Sequence, residues 1–248
     1  MSAAPILAIV SLNKRFGGLV ATNNVCLDIP AGETHALIGP NGAGKTTLLA
    51  QLQGGLKPDS GSILFKGREI ISAAPDARAR MGIARSFQIT AVLPEFTALE
   101  NVRLAVQARL GHSFRFWRAA SDDAALNAPA RGALEQVGLS ALAETPAAVL
   151  SHGARRQLEL AMALAMKPAL LLLDEPMAGM GRQDAAHMVR LLAGLKGTYT
   201  IILVEHDMDA VFSLADRLSV LVSGAVIATG TPDVIRGNAQ VRAAYLGH

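Results

Sequence analysis

Strand-like runs of four or five residues recur along the first part of the chain. Ile6–Val10, Val25–Ile29, His35–Ile38 and Ser62–Phe65 each read as a strand, because short apolar runs between turn signals suit buried or half-buried strands. The punctuation is Phe16-Gly17-Gly18, Pro30-Ala31-Gly32 and Pro58-Asp59-Ser60-Gly61. The pattern changes near Thr97. From there to Ala165 the composition is rich in Ala, Leu and Arg and reads as helical, with interruptions near Gly111–Ser113, Asn127–Pro129 and Thr145-Pro146. Strand-like runs return at Ala169–Leu173, Thr200–Val204 and Leu218–Val222. Leu170–Leu173 and Ile201–Val204 are apolar without alternation, as expected of central parallel strands covered on both faces. No internal repeat, low-complexity tract or flexible linker breaks this order. The pattern predicts an α/β core with a helical insertion between its halves.

The chain of 248 residues is 51% hydrophobic and 17% charged. That is apolar, yet no stretch reaches the ~18 uninterrupted apolar residues of a membrane span. The most apolar region, Leu158 to Leu173, is broken by Glu159, Lys167 and Pro168. The N-terminal MSAAPILAIV has no positive charge before its apolar run, so a signal peptide is not expected. Such a chain suggests a subunit that docks on something. The single Cys26 leaves no internal disulfide, and its place in Val25-Cys26-Leu27 predicts a small core residue.

The net charge is +3. Nine Lys/Arg against four Asp/Glu lie between Lys66 and Arg118, so the rest of the chain is net negative. There is no basic run of five and almost no aromatic interleaving, which argues against nucleic acid. Two readings of the basic segment stand: a solvated face, or a face toward a membrane or anionic partner.

The residues Gly39-Pro40-Asn41-Gly42-Ala43-Gly44-Lys45-Thr46-Thr47 fit G-x-x-x-x-G-K-[ST], the phosphate-binding P-loop. A triphosphate needs many donors converging at short range. Gly39, Gly42 and Gly44 keep the loop bare, so that backbone N–H groups can approach it. The loop follows the strand His35–Ile38 and opens onto a helix whose first N–H groups and dipole favour an anion. Lys45 can reach the outer phosphates, and the Thr46 hydroxyl can ligate Mg²⁺.

The second half supplies carboxylates. The run Leu170–Leu173 ends in Asp174-Glu175, held by the strand and Pro176. Asp174 can hold Mg²⁺ through its waters. Glu175 can accept the proton of an attacking water. The run Ile201–Val204 ends in Glu205-His206-Asp207, and His206 reads as a γ-phosphate sensor.

The order P-loop, Gln88, Leu150-Ser151-His152-Gly153, Asp174-Glu175, His206 resembles the nucleotide-binding subunit of ABC transporters over essentially the whole chain. Ser151–Gly153 looks like the signature motif: Ser151 is a helix N-cap, and Gly153 leaves backbone exposed. The resemblance implies that this helix end grips the γ-phosphate on the P-loop of a second copy or a related ATPase subunit. It implies a single ABC ATPase domain over 1–248, with about 1–88 and 166–248 as core and 89–165 as helical subdomain. The implied fold class is α/β: a P-loop NTPase core with a mixed/parallel sheet, an antiparallel β subdomain and a helical insertion subdomain. It also implies a Mg²⁺-contacting and catalytic role for Gln88, and an adenine-stacking ring at Phe16, for which a core aromatic is the other reading.

Finer features resemble importers of branched-chain and related amino acids: Arg15–Leu19, Arg80–Gln88, Leu99-Glu100-Asn101-Val102, Val204–Met208 and Ala244-Tyr245-Leu246-Gly247. Within such a system the chain looks like the first of two related ATPase subunits. The implied partners are a second ATPase subunit or a second copy, transmembrane permeases and, indirectly, a periplasmic binding protein. The implied place is the cytoplasmic face of the inner membrane. Motion would pass to the permease around Gln88–Glu100. Trp117, beside Arg115, Phe116 and Arg118, reads either as a partner anchor or as local core. The other readings are a lipopolysaccharide or lipid export ATPase, and an ATP switch outside transport. Four positions depart from the pattern: His152 for Gly or Tyr, Ala154 for Gln, Met162 for Arg, and Gly181 for Asp or Asn. They bear on dimer closure.

Overall fold

The structure, a computed structural model, describes residues 4–85, 92–111 and 123–246. Gln88 and Arg115–Arg118, including Trp117, lie outside the described residues. In chain order the elements are β1 (Leu7–Phe16), β2 (Leu19–Ile29), β3 (Thr34–Ile38), α1 (Lys45–Gln53), β4 (Ser60–Phe65), β5 (Arg68–Glu69), α2 (Pro75–Met81) and β6 (Ile83–Arg85). Then come α3 (Ala98–Leu110), α4 (Ala124–Gln136), α5 (His152–Ala165), β7 (Leu170–Asp174) and α6 (Arg182–Leu195). The chain continues with β8 (Thr200–Val204), α7 (Met208–Leu214), β9 (Arg217–Val222), β10 (Ala225–Gly230) and α8 (Pro232–Gly237).

Two compact units result. The first comprises Met1–Ile83, Ala169–Glu175 and Leu195–His248; the second comprises Ala84–Pro168 and Pro176–Gly194. Residues 176–194, read from sequence with the core, cluster with the second unit.

The first unit holds two sheets. One is antiparallel, in the order β2-β1-β4-β5; the other is mixed and contains the order β10-β9-β3-β8-β7. Strand β3 pairs in parallel with β8 and β9, and β8 in parallel with β7. The central strands are buried on both faces, as the unbroken apolar runs Leu170–Leu173 of β7 and Ile201–Val204 of β8 require. Alternation within β3 divides the core. Leu37 joins α1 residues Leu48, Leu49 and Leu52 and the inward residues of the antiparallel sheet, among them Leu7, Ile9, Leu27, Ile63 and Phe65. Ala36 and Ile38 join Val211 of α7 and Ile235 of α8 in a second cluster.

Three expectations are corrected. The hairpin strands β1 and β2 extend well past the apolar runs, because pairing carries polar residues such as Lys14 and Thr22 along with them. Cys26 is exposed on β2, where its Sγ accepts Ser11 N–H at 3.2 Å. The α4 helix runs through Pro129, although Gly111 does end α3 in a left-handed cap.

The basic segment also divides differently. Arg78 is 1% exposed. Its guanidinium donates to Gln51 O at 2.6 Å, Leu52 O at 2.8 Å, Ala73 O at 3.0 Å and Ile71 O at 3.1 Å. It thereby satisfies carbonyls at the C-terminal end of α1, which begins at the phosphate loop. Burial lowers its pKa, opposed by the charge of Glu69. Arg80 pairs with Asp76 at 2.6 Å on the surface. We expect Arg78→Leu to lower unfolding free energy by roughly 3–5 kcal/mol, because several buried carbonyls lose a charged donor together. Urea denaturation of the nucleotide-free chain measures this, and a loss below about 1 kcal/mol would contradict the role.

In the second unit α3, α4 and α5 pack on one another. A capping box fixes the start of α3: Thr97 Oγ1 accepts Glu100 N–H at 3.1 Å, and Glu100 Oε2 accepts Thr97 N–H at 2.8 Å. Buried Asn101 clamps the preceding turn, accepting from Leu93 N–H and donating to the carbonyls of Leu93, Phe96 and Thr97.

Candidate functional site

Parallel pairing builds the site. The register sets Leu37 of β3 beside Val204 of β8, and Val204 beside Asp174 of β7. The C-terminal ends of three strands therefore share one edge. The residues that follow them, Gly39–Thr47, Glu175 and Glu205-His206, come together there. A cavity of about 340 Å³ at this edge is lined by Asn41 to Thr47, Glu175, His206, Phe16, Leu19 and Ala21.

The loop glycines are required for two different reasons. A Cβ on Gly39 would lie 2.0 Å from Leu221 O, and one on Gly44 would lie 2.0 Å from Ala21 O. These two let backbone pass backbone. Gly42 faces open space and is required by its φ of +79°. Gly44 precedes α1 without a side-chain cap, so the first N–H groups of the helix are left for an anion. Ala43 is buried, and its carbonyl accepts Gly224 N–H at 2.9 Å. Asn41 and Thr46 are exposed to the cavity.

Lys45 is 6% exposed. Its Nζ donates to Gly39 O at 2.7 Å and Pro40 O at 3.0 Å, bridging the loop beneath the place an anion would take. Burial lowers its pKa, and the nearby charges of Glu175 and then Asp174 act in the opposite direction. A cation held in poor solvent gains strongly from a phosphate.

Asp174 is buried at the end of β7. Glu175, next along, has a φ of +50°, an uncommon conformation for a residue with a side chain. Its N–H donates to Val204 O at 2.8 Å, which holds the strained turn. Its Oε1 accepts from His206 Nε2 at 2.7 Å. Thr46 hydroxyl and Asp174 carboxylate are both hard oxygen donors, which suit Mg²⁺.

Phe16 ends β1, is 49% exposed and lines the cavity, so it is not a core aromatic. Its strand end is anchored by Asp59, which accepts from Lys14 Nζ and Arg15 N–H, both at 2.7 Å. The Lys14 hydrogen bond is the main cause that lowers the Asp59 pKa. Leu19, across the hairpin turn, adds an exposed apolar surface to which the sequence reading gave no role. Its one signal in the sequence is its place at the end of the Arg15–Leu19 stretch.

Ser151 caps α5: its Oγ accepts Ala154 N–H at 3.2 Å. The expectation for Gly153 is corrected. It is buried rather than bare, and a Cβ there would lie 2.7 Å from Asp184 Cγ. Gly181 has open space around its Cβ position, so packing does not demand glycine there. Among the described residues no cluster of three His, Cys, Asp or Glu could hold a metal unaided, and no helix is long and apolar enough to cross a membrane.

A P-loop sequence, an acidic strand end and a histidine that follows the next strand meet at one edge of an α/β sheet, and residues 22–178 match the ABC transporter family. The chain belongs to that family. Residues 225–248 match a second family, described as branched-chain amino acid ATP-binding cassette transporter. The chain is 40% identical to the high-affinity branched-chain amino acid transport ATP-binding protein LivG of Salmonella typhimurium, over 98% of each chain. It is 38% identical to the corresponding protein BraF of Pseudomonas aeruginosa, again over 98% of each. Among solved structures, an ATP-binding cassette of an ABC transporter in its ADP conformation superposes with a TM-score of 0.86 at 28% identity, covering 99% of this chain and 100% of that one. A dimeric cassette in a post-hydrolysis state with ADP and Pi gives 0.76 at 25%, covering 91% and 98%.

Proposed function

We propose that this chain is the ATP-hydrolysing subunit of an importer for branched-chain or related amino acids, one ABC ATPase domain seated peripherally on the cytoplasmic face of the inner membrane. The observation that carries the reading is the convergence of Lys45, Glu175, His206 and Phe16 on one cavity. The amino-acid assignment is supported by the relatives and by residues 225–248.

In this reading adenine lies on Phe16 beside Leu19. The phosphates lie on Gly39–Thr47, with Lys45 and the N–H groups of α1 as donors. Thr46, Asp174 and Gln88 would hold Mg²⁺, which supplies charge that neutralises the outer phosphate oxygens. Glu175 takes the proton of the attacking water. His206, bound to Glu175 in this structure, turns to an arriving γ-phosphate and frees the carboxylate. Ser151 and the N-terminus of α5 contact the nucleotide of a second copy or a related ATPase subunit. ATP binding adds those contacts and closes the pair; hydrolysis removes them. The dimeric relative supports this arrangement.

Two permease subunits, served by a periplasmic binding protein, would dock on the second unit. Leu93, Phe96 and Val149 are large exposed apolar side chains there. Ala148 N–H donates to Pro94 O and Ala147 N–H to Phe96 O, both at 2.9 Å, so the segments that carry them are tied together.

The test is uptake by cells lacking this gene. Wild type should restore labelled leucine uptake and Lys45→Ala should not. In the purified variant the Kd for MgATP should rise by roughly 10–150-fold, the equivalent of about 1.5–3 kcal/mol for a lost charge-assisted contact. Unchanged leucine, isoleucine and valine uptake in the deletion, with loss of another solute, would move the chain to a different ABC system.

A further inference from the structure

The residue at the second position of the Ser151–Gly153 turn is unusual, and its side chain makes a specific contact. His152 Nε2 lies 3.2 Å from Ala178 O. A carbonyl only accepts, so Nε2–H donates. The ring also sits beside Gly179, where a Cβ would lie 3.3 Å from Nε2 and where φ is +75°. A second contact lies one residue on, where Asp184 of α6 packs against Gly153. The stretch from Ala178 to Asp184 is itself ordered by local bonds, Met180 N–H to Met177 O at 3.2 Å and Ala185 N–H to Gly181 O at 2.9 Å. The first turn of α5 is thus strapped at two points to the segment that leads from Glu175 into α6. Ala178 is only three residues beyond Glu175 in the chain.

We infer that His152 is a positioning residue for hydrolysis: through its bond to Ala178 it ties the segment following Glu175 to the turn that carries Ser151. The inference rests on the function proposed above. When Ser151 engages a nucleotide, the strap carries the constraint along the chain toward Glu175. Without the N–H donor, Ala178 and Gly179 take other conformations and Glu175 is held less well for its water. A positioning error of this kind lowers turnover more than nucleotide binding. His152 is exposed and Gly179 has little side-chain packing, so the effect is not one of core stability.

The experiment compares the full-length wild type with His152→Leu and His152→Gln. Leu fills similar space without a donor; Gln retains an N–H donor. MgATP affinity, KM, kcat and melting temperature are measured for each. For His152→Leu we expect kcat to fall at least fivefold, with KM and MgATP affinity within twofold and the melting temperature unchanged. For His152→Gln most of kcat should return. Wild-type turnover in His152→Leu overturns the inference and leaves the ATPase reading intact. So does an equal loss of kcat in both variants, or a loss that follows a lowered melting temperature. A wild-type chain that binds no MgATP overturns the ATPase reading itself.

Discussion

Glu175→Gln keeps MgATP affinity and lowers hydrolysis by about 10²–10⁴-fold, the usual worth of a general base. The geometry makes this substitution unusually clean. Glu175 sits in a strained turn fixed by its own backbone N–H, and Gln does not alter that bond. The Gln carbonyl can still accept from His206 Nε2, so the pair at 2.7 Å survives. What is lost is the capacity to take a proton, since an amide is not basic at neutral pH. The bonds from Lys45 Nζ to the loop carbonyls of Gly39 and Pro40 do not involve Glu175 and remain. The variant therefore holds ATP without spending it and should accumulate as an ATP-bound pair. Single-turnover phosphate release and size measurement with MgATP check the two halves. Wild-type turnover would show that another group is the base.

Ser151→Arg abolishes ATP-dependent association while the isolated chain still binds ATP. The side chain at 151 does two things that must be separated. It caps α5 through Ala154 N–H, worth about 1 kcal/mol. It also borders the helix N-terminus, where a partner's phosphate would sit. Ser151→Ala removes the cap but leaves the space open. Ser151→Arg removes the cap and fills the space. Equal stability loss in both, with association lost only in the Arg variant, identifies the phosphate contact. Analytical ultracentrifugation in a Glu175→Gln background reads it directly. If the partner is a different ATPase subunit, the defect appears only with that subunit present. An Arg variant that pairs normally with ATP would sever Ser151 from the composite site.

Much of the site was legible because its chemistry needs particular residues at fixed spacing along the chain. Gly39 to Thr47 had to be near-contiguous to wrap one anion, and Asp174-Glu175 had to follow a buried strand to be held at its end. The continuous apolar runs of β7 and β8 announced their central place. Boundaries were less legible. The exposed half of the β1–β2 hairpin and the partly buried β10 lack a strong pattern, since pairing rather than burial makes them strands. Gln88 belongs to the motif order but lies outside the described residues, so its place rests on resemblance alone.

The sequence by itself determined the P-loop, the acidic strand end, the histidine after the next strand and the α/β class, because each is a local pattern of residue types. Tertiary structure alone decided which groups meet. Gly39 and Gly44 are forced by carbonyls of Leu221 and Ala21, far away in the chain. Arg78 is an internal cap for α1 and not a surface charge. Phe16 is a half-open wall of the cavity, Gly153 is a seat for Asp184, and His152 holds Ala178. None of these is visible as spacing. The physical reason is that close approach, desolvation and hydrogen-bond partnership are properties of pairs of residues, and the pairs are made by strand register and helix packing, which residue order alone leaves open.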